Sequence, residues 1–107
     1  MAELTLAEAN DGGRFSVGVG DAITIHLSEN AAAGYRWSVV SLDDTHLTVE
    51  GQRYRAAGPG VGSAGTAVWT LRAKRPGTTR VELQKSRSWE RGKAAAARFA
   101  IDLDIVG

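Results

Sequence analysis

The stretch AITIHLSENAAAGYRWSVV, residues 22–40, decides the fold. Ile23, Ile25 and Leu27 fall on alternate positions, and so do Tyr35, Trp37 and Val39. A period of two puts successive side chains on opposite faces of a β-strand. The stretch therefore reads as two strands, Ala22 to Ser28 and Gly34 to Val40. Between them, three alanines would favour helix in isolation. An asparagine precedes them, however, and a glycine follows, so the segment reads as a compact turn with almost no side-chain bulk. Gly34 is expected to take positive φ and return the chain into the next strand. His26 faces away from the apolar side and reads as a solvated strand histidine, not a ligand.

The same alternation extends in both directions. Residues 4–9 alternate as a first strand, and Asn10-Asp11-Gly12-Gly13 is a turn. Phe15 to Val19 is a weaker strand, separated from the next by Gly20-Asp21. Ser41 to His46 reads as one helical turn or a polar loop. Leu47 to Val49 and Gln52 to Arg55 are short strand pieces around Gly51. Ala56 to Gly65 is a glycine-rich loop. Thr66 to Lys74 and Thr79 to Lys85 are strands, and Arg75-Pro76-Gly77-Thr78 between them has proline to preset φ and glycine for positive φ; together they are expected to form a hairpin. Ser86 to Ala96 is a further loop, and Phe99, Ile101, Leu103 and Ile105 share one face of a last strand. Seven or eight strands at this spacing predict an all-β sandwich. The expected core is Leu6, Ile23, Ile25, Leu27, Trp37, Val39, Trp69, Leu71, Val81, Leu83, Phe99, Ile101 and Leu103.

Bulk composition narrows the function. The chain has 107 residues, enough for one domain over 1–107 with its own core. It contains no cysteine, which removes disulfides, thiolate metal sites and a cysteine nucleophile. A net charge of +1 argues against a nucleic-acid partner, and no apolar run approaches the roughly 20 residues of a membrane span. The N-terminus does not resemble a signal peptide; a periplasmic or secreted protein remains open if a leader was removed. The full strand set ending at Gly107 suggests a domain not cut from a longer chain, and a monomer is expected.

Catalytic chemistry is hard to assemble. His26 and His46 are the two histidines, and no serine stands at a meaningful spacing from either. Asp102 and Asp104 share one strand face and read as a charged outer surface. Asp43, Asp44 and Glu50 do not follow a calcium-loop spacing. The glycine-rich loop lacks the Gly-Lys-Ser/Thr ending and following helix of a phosphate cradle. No catalytic residue, metal or cofactor is assigned.

Three unusual loops remain: the alanine turn, the glycine-rich segment and the Arg-Ser-Trp-Glu-Arg-Gly stretch from Arg87. By strand direction they gather at one end of a sandwich, as antibody hypervariable loops do. Trp37 fits the core parity. Tyr35 fits either core or surface. Trp89 lies outside any period and reads as a surface residue. Gly60 and Gly62, by composition alone, read as linker glycines.

The order Asn-x-x-x-Gly-Tyr-x-Trp, then Gly-x-Gly, then Arg-x-Trp resembles the chagasin family, inhibitors of papain-like cysteine peptidases found in protozoa and bacteria. The likeness runs from about Asp21 to Ile105 and takes in Val-Trp-Thr-Leu-Arg-Ala-x-Arg-Pro-Gly. It implies an immunoglobulin-like antiparallel β-sandwich, reversible non-covalent inhibition without enzymatic activity, and a papain-like cysteine peptidase as partner. It further implies that Asn30, Ala31, Ala32, Ala33, Gly34 and Tyr35 reach the catalytic centre, with Gly60, Val61, Gly62 and Ser63 and then Arg87, Ser88 and Trp89 flanking them. The chain departs from the family pattern at five places: Ala31 replaces a proline, Ala32 and Ala33 two threonines, Ser63 a glycine and Ser88 a proline. An adhesion or glycan-binding module that uses the same loops is the alternative, and an enzyme accessory domain a third reading.

Overall fold

The computed structural model describes residues 2–29, 34–56, 65–87 and 96–107. Its strands are β1 (Glu3–Ala7), β2 (Arg14–Gly18), β3 (Ala22–Glu29), β4 (Tyr35–Ser41), β5 (Leu47–Ala56), β6 (Gly65–Ala73), β7 (Gly77–Arg87) and β8 (Ala97–Val106). They form two four-stranded sheets, in the orders β1-β3-β6-β5 and β2-β8-β7-β4. Successive strands reverse direction, so odd-numbered strands all run towards one end and even-numbered strands run away from it. Pairs of unlike parity are antiparallel. The two pairs of like parity, β1 with β3 and β2 with β8, are parallel. An immunoglobulin-like sandwich results, antiparallel at its centre and parallel where the two short N-terminal strands join.

The inward faces carry the expected core. Ile23, Ile25, Leu27, Leu71, Val81, Leu83, Phe99, Ile101 and Leu103 are at most 2% exposed. Val39 is only partly buried against this cluster, while Val17, Leu47 and Ile105 complete it. Val68 is buried as well, although it stands on the outer face. His26 and Arg53 flank it there in register.

Four local expectations are corrected. Thr66–Lys74 and Thr79–Lys85 do not make a hairpin. β3 and β5 already occupy both edges of β6, so the Arg75-Pro76-Gly77 turn carries the chain across to the other sheet, where β7 lies between β4 and β8. Gly77 does take positive φ, +140°, and the His46 ring leaves no room there for a Cβ. The first strand stops at Ala7, because the Asn10 side chain accepts the Ala7 N–H at 2.8 Å and winds Glu8–Asn10 into one 3-10 turn. The two pieces around Gly51 are a single strand, β5, with a bulge between Val49 and Gly51. Ser86 and Arg87 belong to β7, paired with Arg36 and Tyr35. Of the two readings of Ser41–His46, the polar turn is the one found. Asp43 accepts from the Thr45 N–H and hydroxyl at 2.9 and 2.6 Å, and its other oxygen lies 2.9 Å from His46 Nδ1.

The sheets are tied where β3 ends and β4 begins. Glu29 is only 3% exposed. Its carboxylate accepts the Trp37 backbone N–H at 2.6 Å, and Trp37 Nε1 donates to the Ser28 carbonyl at 2.7 Å. Removing one partner of a buried hydrogen bond costs about 1–3 kcal/mol. Glu29→Ala should therefore lower the unfolding free energy in urea by about 1–3 kcal/mol, and Trp37→Phe, through the lost indole bond alone, by about 1 kcal/mol. An unchanged midpoint for Glu29→Ala would show that this junction holds nothing.

Acid sensitivity follows from the Asp43 turn. Hydrogen bonds from Thr45, and then from His46, lower the Asp43 pKa from 3.8 to about 2. A carboxylate with a lowered folded pKa adds stability above its unfolded pKa and loses that contribution as pH falls towards the folded value. Between about pH 4 and pH 2, Asp43→Asn should thus lose urea resistance less steeply than the parent protein; parallel curves would contradict this assignment.

Candidate functional site

The residues that flank the three unusual segments stand at one end of the sandwich. In the first sheet, Gly65 at the start of β6 pairs with Glu29 on one side and Ala56 on the other. In the second, Tyr35 at the start of β4 pairs with Arg87 at the end of β7, and Lys85 pairs with Ala97 at the start of β8. The Glu29–Trp37 bond joins the two groups. Odd strands end here and even strands begin here. That is why segments 30–33, 57–64 and 88–95 all depart from and return to the same end.

Of the residues singled out in the sequence, Gly34, Tyr35 and Arg87 lie in the described parts. Asn30, Ala31, Ala32, Ala33, Gly60, Val61, Gly62, Ser63, Ser88 and Trp89 lie outside them. Gly34 has φ +85°, the left-handed conformation the turn demanded. Tyr35 is half-buried on the inward face, two residues from buried Trp37. The Arg87 guanidinium stacks over its ring at 4.3 Å. The Lys85 ammonium stands 5.7 Å from the Trp37 ring and 6.0 Å from that of Tyr35. Cation–π contacts of this kind contribute roughly 0.5–1 kcal/mol each when exposed. Here they tie the stem of the third segment to the stem of the first.

Three contributors were not picked out from the sequence. Glu29 lies just past the strand expected over Ala22 to Ser28; a charged residue continuing the inward parity of Ile23, Ile25 and Leu27 was the available signal. Lys85 shares the inward parity of Val81 and Leu83, and caps the core where the apolar layer ends. Tyr54 lies at the end of β5, and its ring covers Gly65 on the neighbouring strand so closely that a Cβ there would collide with it. An aromatic beside a strand glycine is a known way to shield exposed backbone, and Tyr54 keeps 41% of its surface open to a partner.

Among the described residues, the end offers contact surface in place of reactive chemistry. His46, with Asp43, sits by Gly77 at the opposite end. Among the described residues no group of three or more His, Cys, Asp or Glu side chains is placed to hold a metal ion. Asp102 and Asp104 form the charged outer face expected of them, bridged to Arg80 at 3.2 Å and Arg14 at 2.7 Å.

Known proteins share this architecture. The chain superposes on the cysteine protease inhibitor EhICP2 from Entamoeba histolytica with a TM-score of 0.89 and 26% identity, over 98% of this chain and 96% of that one. Leishmania mexicana ICP gives a TM-score of 0.67 at 27% identity, over 89% of each chain. PbICP-C, solved in complex with falcipain-2, matches at a TM-score of 0.67 over 96% of this chain and 88% of that one; at 14% identity this is a likeness of fold alone. No curated protein matches the chain by sequence. The sequence model described as the chagasin family peptidase inhibitor matches residues 16–103, from β2 into β8 and across all three segments. The chain belongs to the chagasin family of peptidase inhibitors.

Proposed function

We propose that the chain is a reversible, non-covalent inhibitor of papain-like cysteine peptidases, and that it blocks the active-site cleft with Asn30–Tyr35, Gly60–Ser63 and Arg87–Trp89. One observation carries the reading: the stems of these three segments converge on a single end of the sandwich. Family membership supplies the target class, and PbICP-C, of the same fold, is seen bound to falcipain-2. The inhibitor works by binding and is not an enzyme.

The residues suit that task. Ala31, Ala32 and Ala33 carry one side-chain carbon each, so a narrow cleft can admit them without steric penalty. Their cost is chemical. Where the family has proline and two threonines, this chain has no fixed φ and no hydroxyls, and a lost hydrogen bond is worth about 0.5–1.5 kcal/mol. The stem contacts offset part of this, because ends that are already ordered have less entropy to lose on association.

Titration of papain and a cathepsin-L-like peptidase should give competitive inhibition. A nanomolar constant would correspond to about −12 kcal/mol. Full activity of several such enzymes at micromolar inhibitor would sink the proposal. Trp89→Ala should weaken binding by more than about 1 kcal/mol, as for an interface anchor. Gly34→Val forces a β-branched residue to positive φ and should weaken binding while leaving the distant core intact. Undiminished potency of Gly34→Val would argue against the wedge.

A further inference from the structure

The charges of this protein are sorted by position. Away from the loop end, three arginines are matched. Arg14 pairs with Asp104, Arg72 with Glu50, and Arg80 with Glu82 and Asp102. Lys74 and Arg75, at the far end, form no ion pair among the described residues, but line one depression with Asp44. Around the loop end the pattern changes. Arg53 and Arg55 stand on the outer face of the first sheet, opposite Val68 and Thr66. Arg36 and Arg98 stand on the outer face of the second, opposite Ser86 and Gln84. All four are exposed, and none has a carboxylate partner among the described residues. Between the sheets, Lys85 and Arg87 add two more positive charges over the aromatic rings.

Among the described residues, the carboxylates on this side are committed to backbone. Glu29 is buried on the Trp37 N–H. Glu8 and Asp11, on the β1–β2 side, accept the Ser28 and Ala100 N–H groups at 2.8 Å each. The small net charge of +1 hides this polarity.

We propose that these cations form an electrostatic collar that steers the inhibitor onto peptidases whose cleft is rimmed by acidic side chains. The inference rests on the inhibitory function proposed above and adds the class of target. Each of the four outward arginines lies within four residues of its strand end, hence about 13 Å along the strand at ~3.3 Å per residue. At 0.1 M salt the Debye length is about 10 Å. The collar therefore acts across the last nanometre of approach without having to enter the cleft. Complementary charge of this kind raises association rates more than it slows dissociation.

Association and dissociation rate constants, read from inhibition progress curves, test this. The enzymes would be two papain-like peptidases, one with an acidic cleft rim and one with a neutral or basic rim. Association with the acidic enzyme should fall by about tenfold or more as salt rises, and Arg53→Glu/Arg55→Glu should lower it by a similar factor. Dissociation should change little, and the unfolding midpoint should not move. Lys74→Glu/Arg75→Glu, an equal charge change at the far end, should leave association near the parent value. Inhibition of both enzymes with association rates indifferent to salt and to the collar reversal would overturn the collar while leaving the inhibitory function standing. Heparin bound as tightly as the acidic peptidase would overturn it too, by pointing to a polyanion. Absence of inhibition of either enzyme would remove the function on which it rests.

Discussion

The structure depends on one crossing. β3 must leave the first sheet and re-enter as β4 in the second, with five residues between Glu29 and Tyr35. β4 is an edge strand with β7 on one side only, so its alternate N–H groups face away from any partner. At Trp37 such a group would be buried and unpaired. Burying a carboxylate is costly in itself, but Glu29 accepts that N–H at 2.6 Å, and a bond to a charged group recovers roughly 1.5–3 kcal/mol. The indole N–H answers from the other side by donating to Ser28. Two polar bonds thus set the distance and direction between the sheets at this end. All three segments start from a frame that the junction holds.

The period-two pattern made the strands legible because each strand has one face in a shared apolar interior. Ile23, Ile25 and Leu27, or Phe99, Ile101 and Leu103, could have been placed by parity alone, and they are. The pairing of strands was not legible in the same way. Pro76-Gly77 encodes a reversal of direction, and a reversal serves a hairpin and a crossing equally well. Which one occurs is decided by β3 and β5, whose contacts with β6 reach far along the chain. Val68 shows a related limit: parity puts it on the outer face, and it is buried there only because neighbours on two other strands flank it.

The candidate site was legible where composition is unusual and illegible where it is ordinary. Small residues at 31–34 and glycines at 58–65 stand out in any sequence. Arg87 was attached to a loop because it precedes Ser88-Trp89, and only its pairing with Tyr35 shows that β7 continues through it. Lys85 and Glu29 look like surface charges. Their inward parity makes them the polar cap of the core, and that becomes visible once the sheets are seen to end together.

Charge and shape are divided between different residues. Segments 30–33 and 57–64 contain no ionisable side chain, whereas 88–95 carries Glu90, Arg91 and Lys93. A segment that enters a cleft has to shed its water, and an ion there would meet a penalty of several kcal/mol unless paired with good geometry. Uncharged residues avoid that penalty. The arginines sit further back on the strands, where they remain hydrated and still project their field. The same division accounts for the rest of the molecule. Arg14, Arg72 and Arg80 on the flanks are neutralised by Asp102, Asp104, Glu50 and Glu82, whereas Arg36, Arg53, Arg55 and Arg98, near the end where the three stems converge, have no carboxylate partner among the described residues.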